Sequence, residues 1–273
     1  MDISKGQELI SNIGRIPPLN PVVLRLLEEL SNGQYNATNL HKIIEEDANT
    51  SATILKIANS PFYGMKRKVN SIRDACVLLG FNSLRNIVYA TAMESFTCNT
   101  GQESLRQHTV ATAIIASQLA RFSALDDSTC YTLGLLHELG KQITMVGFPD
   151  YFNAFLAKAK KGQDDMGEEI DSMCALGETM AKSWHLPDLF LHCIRYYTRP
   201  ASCPKPSAVY VQLIHAAHGL ANAMGYPSPG ETVPADPQGE RQLHLENFPP
   251  EASSTEVMTS IEQAIKHNLA TPA

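Results

Sequence analysis

The sequence predicts an all-α protein, and three observations carry that prediction. Apolar residues recur at helical spacing along nearly the whole chain of 273 residues. Alternating strand-like runs are missing, and nowhere do two such runs flank an Asn-Gly or Asp-Gly pair as a β-hairpin requires. A composition of 44% hydrophobic and 18% charged residues is that of a chain that buries a core, so the helices are expected to pack on one another.

Taken in order, a first helix is expected over residues 3–13, broken by Pro17, Pro18 and Pro21. Asn20 supplies a capping acceptor, and Pro21 suits the first helical position, where its missing N–H costs nothing. The next helix then runs to Leu30. Leu40, Ile43 and Ile44 mark a third helix, entered through Asn36 or Thr38, and Ile54, Leu55, Ile57 and Ala58 mark a fourth that Pro61 ends. After the loop 59–68, Ser71 and Asp74 have capping-box spacing for a helix that closes at Gly80, and another follows over about 82–96.

The polar run 97–102 interrupts the apolar pattern and separates a helical N-terminal lobe, residues 1–100, from a second helical lobe, residues 101–224. That second lobe opens with a helix over about 103–122 carrying His108. A helix with Asp126, Asp127 and Ser128 as cap candidates follows, and Gly140-Lys141 reads as its stop. Further helices fall near 151–160, 168–184, 187–197 and 207–224. Residues 225–273 are a proline-rich acidic excursion with little regular structure up to residue 250, then a helix over about 255–269. Its Val257, Ile261 and Ile265 repeat at four-residue steps suited to packing.

A net charge of −6 argues against general nucleic-acid binding. The N-terminus is polar and no run approaches the ~18 apolar residues of a membrane span, so no membrane association and a cytoplasmic location are expected. Cys76, Cys98, Cys130, Cys174, Cys193 and Cys203 show no C-x-x-C spacing and read as buried thiols.

Two places bear chemistry. His137 and Glu138 project from the margin of an apolar stripe formed by Leu133, Leu136 and Gly140. They read either as a hydrogen-bonded core histidine beside a solvent-reaching glutamate, or as ligands for a divalent ion. Phe62, Tyr63, Lys66, Arg67 and Lys68 read either as aromatic packing with a solvated tip, or as a place to stack a base and grip a phosphate.

Several separated motifs, in order, resemble the bacterial HDOD domain. They are Ile16-Pro17-Pro18-Leu19-Asn20-Pro21, Ile44-Glu45-Glu46-Asp47, Leu55-Lys56-Ile57-Ala58-Asn59-Ser60-Pro61-Phe62-Tyr63-Gly64 and Val77-Leu78-Leu79-Gly80-Phe81. The resemblance covers about residues 7–220 and implies an HD-like helical bundle, related to the HD phosphohydrolases and their HD-GYP branch. Carried onto this chain, it implies a metal set of His108, His137, Glu138 in place of an aspartate, and His218 in place of the distal aspartate. Lys141 matches a position suited to hold a phosphate, and Met173, Tyr197 and Thr198 fall where a second metal would be served. Three imidazoles and one carboxylate suit one divalent Zn, Fe, Ni or Mn ion and not a binuclear centre. The implied function is a bacterial signal-transduction protein that binds a signalling partner or a small ligand such as a nucleotide, with a degenerate HD site and without enzymatic activity. The alternative is a mononuclear metal-dependent phosphohydrolase in which Lys141 steadies the substrate phosphate.

Overall fold

The computed structural model describes residues 9–16, 18–31, 37–65, 67–97, 103–161 and 166–270, and among these every regular element is helical. Most of the helix expected over 3–13 lies outside the described residues; a helical turn stands at 9–11 and a 3-10 turn at Ile13–Arg15. Helix α1 (Pro21–Ser31) starts where Asn20 Oδ1 accepts the Val22 N–H at 2.8 Å. Helices α2 (Ala37–Glu45) and α3 (Ala48–Ala58) follow. Asp47 caps α3 by accepting from the Thr50 N–H at 2.8 Å, and its carboxylate also takes the Asn20 amide at 3.2 Å, so one acidic side chain ties two helix starts together. Asn59 ends α3 and clamps the loop beyond it: its amide reaches the Leu55 and Val69 carbonyls at 2.7 and 2.8 Å, and its Oδ1 accepts the Val69 N–H at 2.8 Å.

The Ser71 hydroxyl accepts the Asp74 N–H at 3.0 Å and opens α4 (Ile72–Thr97). Gly80, at φ 74° and ψ 171°, interrupts that element where the sequence placed a helix end. Helix α5 (Glu103–Ala120) packs most extensively on α6 (Asp127–Leu136), whose cap is Asp126, accepting from Thr129 N–H at 2.7 Å. At their crossing a Cβ added to Gly134 would lie 2.4 Å from Ala113 Cα.

Gly140 does not end that helix. The break comes at His137 and Glu138, the latter at φ −99° and ψ 26°, and α7 (Leu139–Gly147) begins at once with Gly140 inside it. The glycine serves close approach: a Cβ there would sit 1.8 Å from the Met173 carbonyl oxygen on α9 (Gly167–Ser183), and Gly177 of α9 answers with a Cβ position 2.7 Å from Gly140 N. Between them runs α8 (Pro149–Lys160), and α10 (Asp188–Tyr196) and α11 (Ala208–Ala223) follow within a residue or two of expectation.

The excursion is more structured than its composition suggests. Asp236 accepts from the Gly239 N–H at 3.0 Å and starts α12 (Pro237–Leu245), because an acidic cap followed by proline is a helix start as readily as a turn. The last helix, α13 (Thr255–Ala270), buries Ile261 and Ile265 and packs on α5. Apolar residues from all these regions, including Leu26, Ile54, Ile87, Ile114, Leu136, Ile214 and Ile265, belong to one contiguous core. Cys130, Cys174 and Cys193 are buried thiols and Cys203 is partly so; Cys98 and the Cys76 side chain lie outside the described residues. Among the described residues no helix is long and apolar enough to cross a membrane.

Candidate metal centre

The α5–α6 crossing and the packing of α11 on α5 bring together residues far apart in sequence. His108 comes from α5, His137 and Glu138 from the break between α6 and α7, and His218 from α11. All four are buried, and one ligand atom from each lies within 4.8 Å of the others. His108 Nε2 stands 3.3 Å from His137 Nε2 and 2.9 Å from His218 Nδ1; His137 Nε2 stands 3.1 Å from His218 Nδ1.

The outer nitrogens settle which atoms face inward. His108 Nδ1 donates to the Tyr226 carbonyl at 2.8 Å and His137 Nδ1 to the Gly134 carbonyl at 2.7 Å. His218 Nε2 donates to Glu231 Oε2 at 2.9 Å. With the outer nitrogens engaged by those partners, three ring nitrogens converge on one point, and a cation or a shared proton must lie between them; against the cost of burial, the Glu231 carboxylate raises the His218 pKa, so without a cation that proton sits on His218 Nδ1, 2.9 Å from His108 Nε2. Thr112 Oγ1, 3.3 Å from His108 Nε2, is the additional polar neighbour. Glu138 Oε2 is buried with no hydrogen-bond partner and lies 3.8 Å from His108 Nε2.

These donors fit a metal ion. Bonds of ~2.1 Å from ring nitrogens to Zn at tetrahedral angles would space the nitrogens by about 3.4 Å, close to the observed 2.9–3.3 Å. Outer hydrogen bonds from ligand imidazoles to carbonyls and a carboxylate are what metal sites use to orient their ligands. Burial lowers the pKa of His108 to about 4 and of His137 to about 3, against the pull of Glu138, so both rings stay neutral and able to ligate at neutral pH. Burial would raise the Glu138 carboxyl, but the Lys141 ammonium, then the surrounding imidazoles, hold it well below the usual carboxylate range.

Lys141 is buried and fully engaged. Its ammonium contacts Glu138 Oε1 at 2.6 Å, Ser228 Oγ at 2.5 Å and Glu231 Oε1 at 3.0 Å, one partner for each proton. In this arrangement it holds two carboxylates and has no donor left for a phosphate. The Tyr197 hydroxyl donates to Glu138 Oε1 at 3.3 Å and its ring lies against His137 and His218; Met173 is buried among Phe152 and Phe155, and Thr198 is partly buried. The Phe62 ring stacks on Tyr131, 3.6 Å between centroids, and meets Tyr63 edge-on, which is the packing alternative for that loop; Arg67 and Lys68 are exposed and Lys66 is outside the described residues.

Sequence reasoning missed Asn222, Ser228, Glu231 and the Tyr226 carbonyl. Ser228 N–H donates to Asn222 Oδ1 at 3.0 Å, and the Ser228 hydroxyl donates to Glu138 Oε1 at 2.6 Å. Asn222 was findable, one helical turn after His218 on the same face. Ser228 and Glu231 carried no signal, since they sit in a stretch whose composition is that of surface loops.

The HDOD domain profile matches residues 16–200. An HDOD domain protein of unknown function from Geobacter sulfurreducens has a TM-score of 0.75 at 21% identity, covering 97% of this chain and 95% of that one. A candidate phosphohydrolase from Shewanella amazonensis SB2B has a TM-score of 0.75 at 20% identity, covering 97% of each chain. A candidate signal transduction protein from Marinobacter aquaeolei VT8 has a TM-score of 0.66 at 20% identity, covering 93% of this chain and 57% of that one. At such identities the likeness establishes the fold alone. An uncharacterised protein of Treponema pallidum (strain Nichols) is 21% identical over 238 residues, 83% of this chain and 46% of the relative. The chain spans less than half the length of the curated relatives it matches.

Proposed function

This chain belongs to the HDOD domain family, and from that premise we propose that it is a regulatory protein of signal transduction, acting by binding a protein partner or small ligand, with one divalent transition metal as a resident part of its site. His108, His137, Glu138 and His218 would hold the ion, which would supply a fixed positive charge in the pocket. The observation that supports this reading is the inward convergence of three imidazole nitrogens beside an unpartnered buried Glu138 oxygen. Zn, Fe, Ni and Mn are the ions such a nitrogen-rich set would take.

A binding role is favoured over hydrolysis by what the other side chains do. Lys141 orients Glu138, Tyr197 and Ser228 take the same carboxylate oxygen, and the segment 225–231 lies over the cluster, so water and substrate are kept from it. Met173 offers no hard ligand for a second ion, and the Tyr197 hydroxyl, kept protonated by burial, is spent on Glu138. Elemental analysis of protein purified without added metal tests the reading: about one ion per chain, lost in His137→Ala, is expected, and less than about 0.1 ion per chain refutes it. Turnover of phosphomonoesters or cyclic dinucleotides by the loaded protein would favour the phosphohydrolase instead.

A further inference from the structure

Beside the histidine cluster, three donors from two helices converge on one carboxylate that neither helix supplies. Lys141 of α7 reaches Glu231 Oε1 at 3.0 Å, and His218 and Asn222 of α11 reach Glu231 Oε2 at 2.9 and 2.6 Å. Lys141 and His218 are buried, and the Glu231 side chain, 23% exposed, is the part of this group nearest solvent. The donors are fixed by helices packed in the core, whereas Glu231 hangs from a segment without regular structure.

That segment is a strap set between two glycine turns. Gly225 and Gly230, at φ 92° and 89°, turn the chain at either end in the left-handed region that glycine adopts without strain. Between and beside them lie polar latches: the Tyr226 carbonyl on His108, Ser228 on Glu138 and Asn222, and Glu231 on the three donors. Apolar contacts add to them, since Tyr226 packs on the core, Pro229 is buried and Gly230 lies against the Phe155 ring, so an anion would compete first for the donors that Glu231 occupies at the strap's end. An ammonium, an imidazole N–H and a carboxamide directed at one point are a recognition set for a small oxyanion.

We propose that Lys141, His218 and Asn222 form a seat for a small oxyanion, and that Glu231 fills the seat in cis, so the strap of residues 225–231 must lift before an external anion can bind. The inference deepens the reading of this pocket as a ligand site and concerns its anion, not its metal. Chelator-treated protein therefore tests it, since metal content then fails or succeeds separately.

Glu231→Ala is titrated calorimetrically with inorganic phosphate and, in a second arm, acetate, against the unaltered chain. The variant is expected to bind at least one of the two about tenfold or more tightly than the unaltered chain does. Phosphate alone would mark a phosphate seat, and acetate alone a carboxylate seat. A folded variant that binds both no better than the unaltered chain overturns the proposal. Should Glu231→Ala fail to fold, hydrogen exchange on the unaltered chain decides: amides of residues 226–231 are expected to exchange several-fold faster with ~50 mM phosphate than without. Unchanged exchange overturns the proposal.

Discussion

Gly140→Ala separates the packing role of this glycine from its role as a helix stop. By intrinsic propensity alone, alanine inside a helix is favoured over glycine by about 1 kcal/mol, so a glycine that merely ended a helix could be replaced at little cost. The structure demands the opposite sign. The new Cβ would lie 1.8 Å from the Met173 carbonyl oxygen and 2.5 Å from its carbon. Both are backbone atoms of α9, so no rotamer change relieves the overlap. Restoring ordinary contact requires α7 and α9 to part by roughly 1.5 Å, loosening the packed face between them. Overpacking of that kind costs roughly 2–4 kcal/mol. For a chain of this size that is about 4–8 °C in Tm. Glu138 and Lys141 flank the displaced residue, so ion content should fall in parallel. Urea denaturation at constant m-value, with elemental analysis of the same preparation, measures both. A variant within about 0.5 kcal/mol of the unaltered chain, carrying its full ion content, would refute the reasoning.

Lys141→Met leaves the buried Glu138 and the partly buried Glu231 carboxylates without their shared cation, and a loss of about 3–5 kcal/mol is expected at pH 7, partly recovered at pH 5 as a carboxylate takes up a proton; a denaturation pair at the two pH values reads it. His108 and His137 have folded pKa values near 4 and 3, below the ordinary 6.5, so the unfolded chain binds the extra protons. The contribution of these two rings to the stability of the metal-free protein is therefore full above pH 6.5 and falls as pH drops toward 4, by up to about 1.4 kcal/mol per pH unit for each ring. A flat profile between pH 6.5 and 4.5 contradicts the buried neutral rings. Asn59→Ala removes three hydrogen bonds to backbone, and a loss of roughly 1–3 kcal/mol in chemical denaturation is expected; no loss would mean that the loop 59–69 is held by other contacts.

Much of this architecture was legible because its signals are local. Asn20-Pro21, Ser71-x-x-Asp74 and Gly80 announce their roles through capping chemistry and a positive φ, and each stands where the residues put it. His137 and Glu138 stand out in the sequence as an adjacent pair of ligand-type side chains on an apolar helix, His108 and His218 join them by resemblance, and the structure brings the four together. What stayed illegible is what depends on distance in space. Gly140 looks the same in sequence whether it stops a helix or admits a neighbouring backbone, and only the path of α9 distinguishes them. Glu231 could not be assigned to Lys141 and His218 because nothing in its neighbourhood fixes where the chain turns after Gly225. Asp236-Pro237 reads equally as loop or helix start, and the buried Leu245 at the far end of α12 decides it.

The HDOD profile match ends at residue 200, yet His218, Asn222 and Glu231 all come after it, and α13 braces the helix that carries His108. A fragment cut to the recognised boundary would leave Lys141 facing Glu138 without its other two partners and His108 Nδ1 without an acceptor. Expression designs for this protein should therefore run through the last helix, because the packed core extends to Ile261 and Ile265.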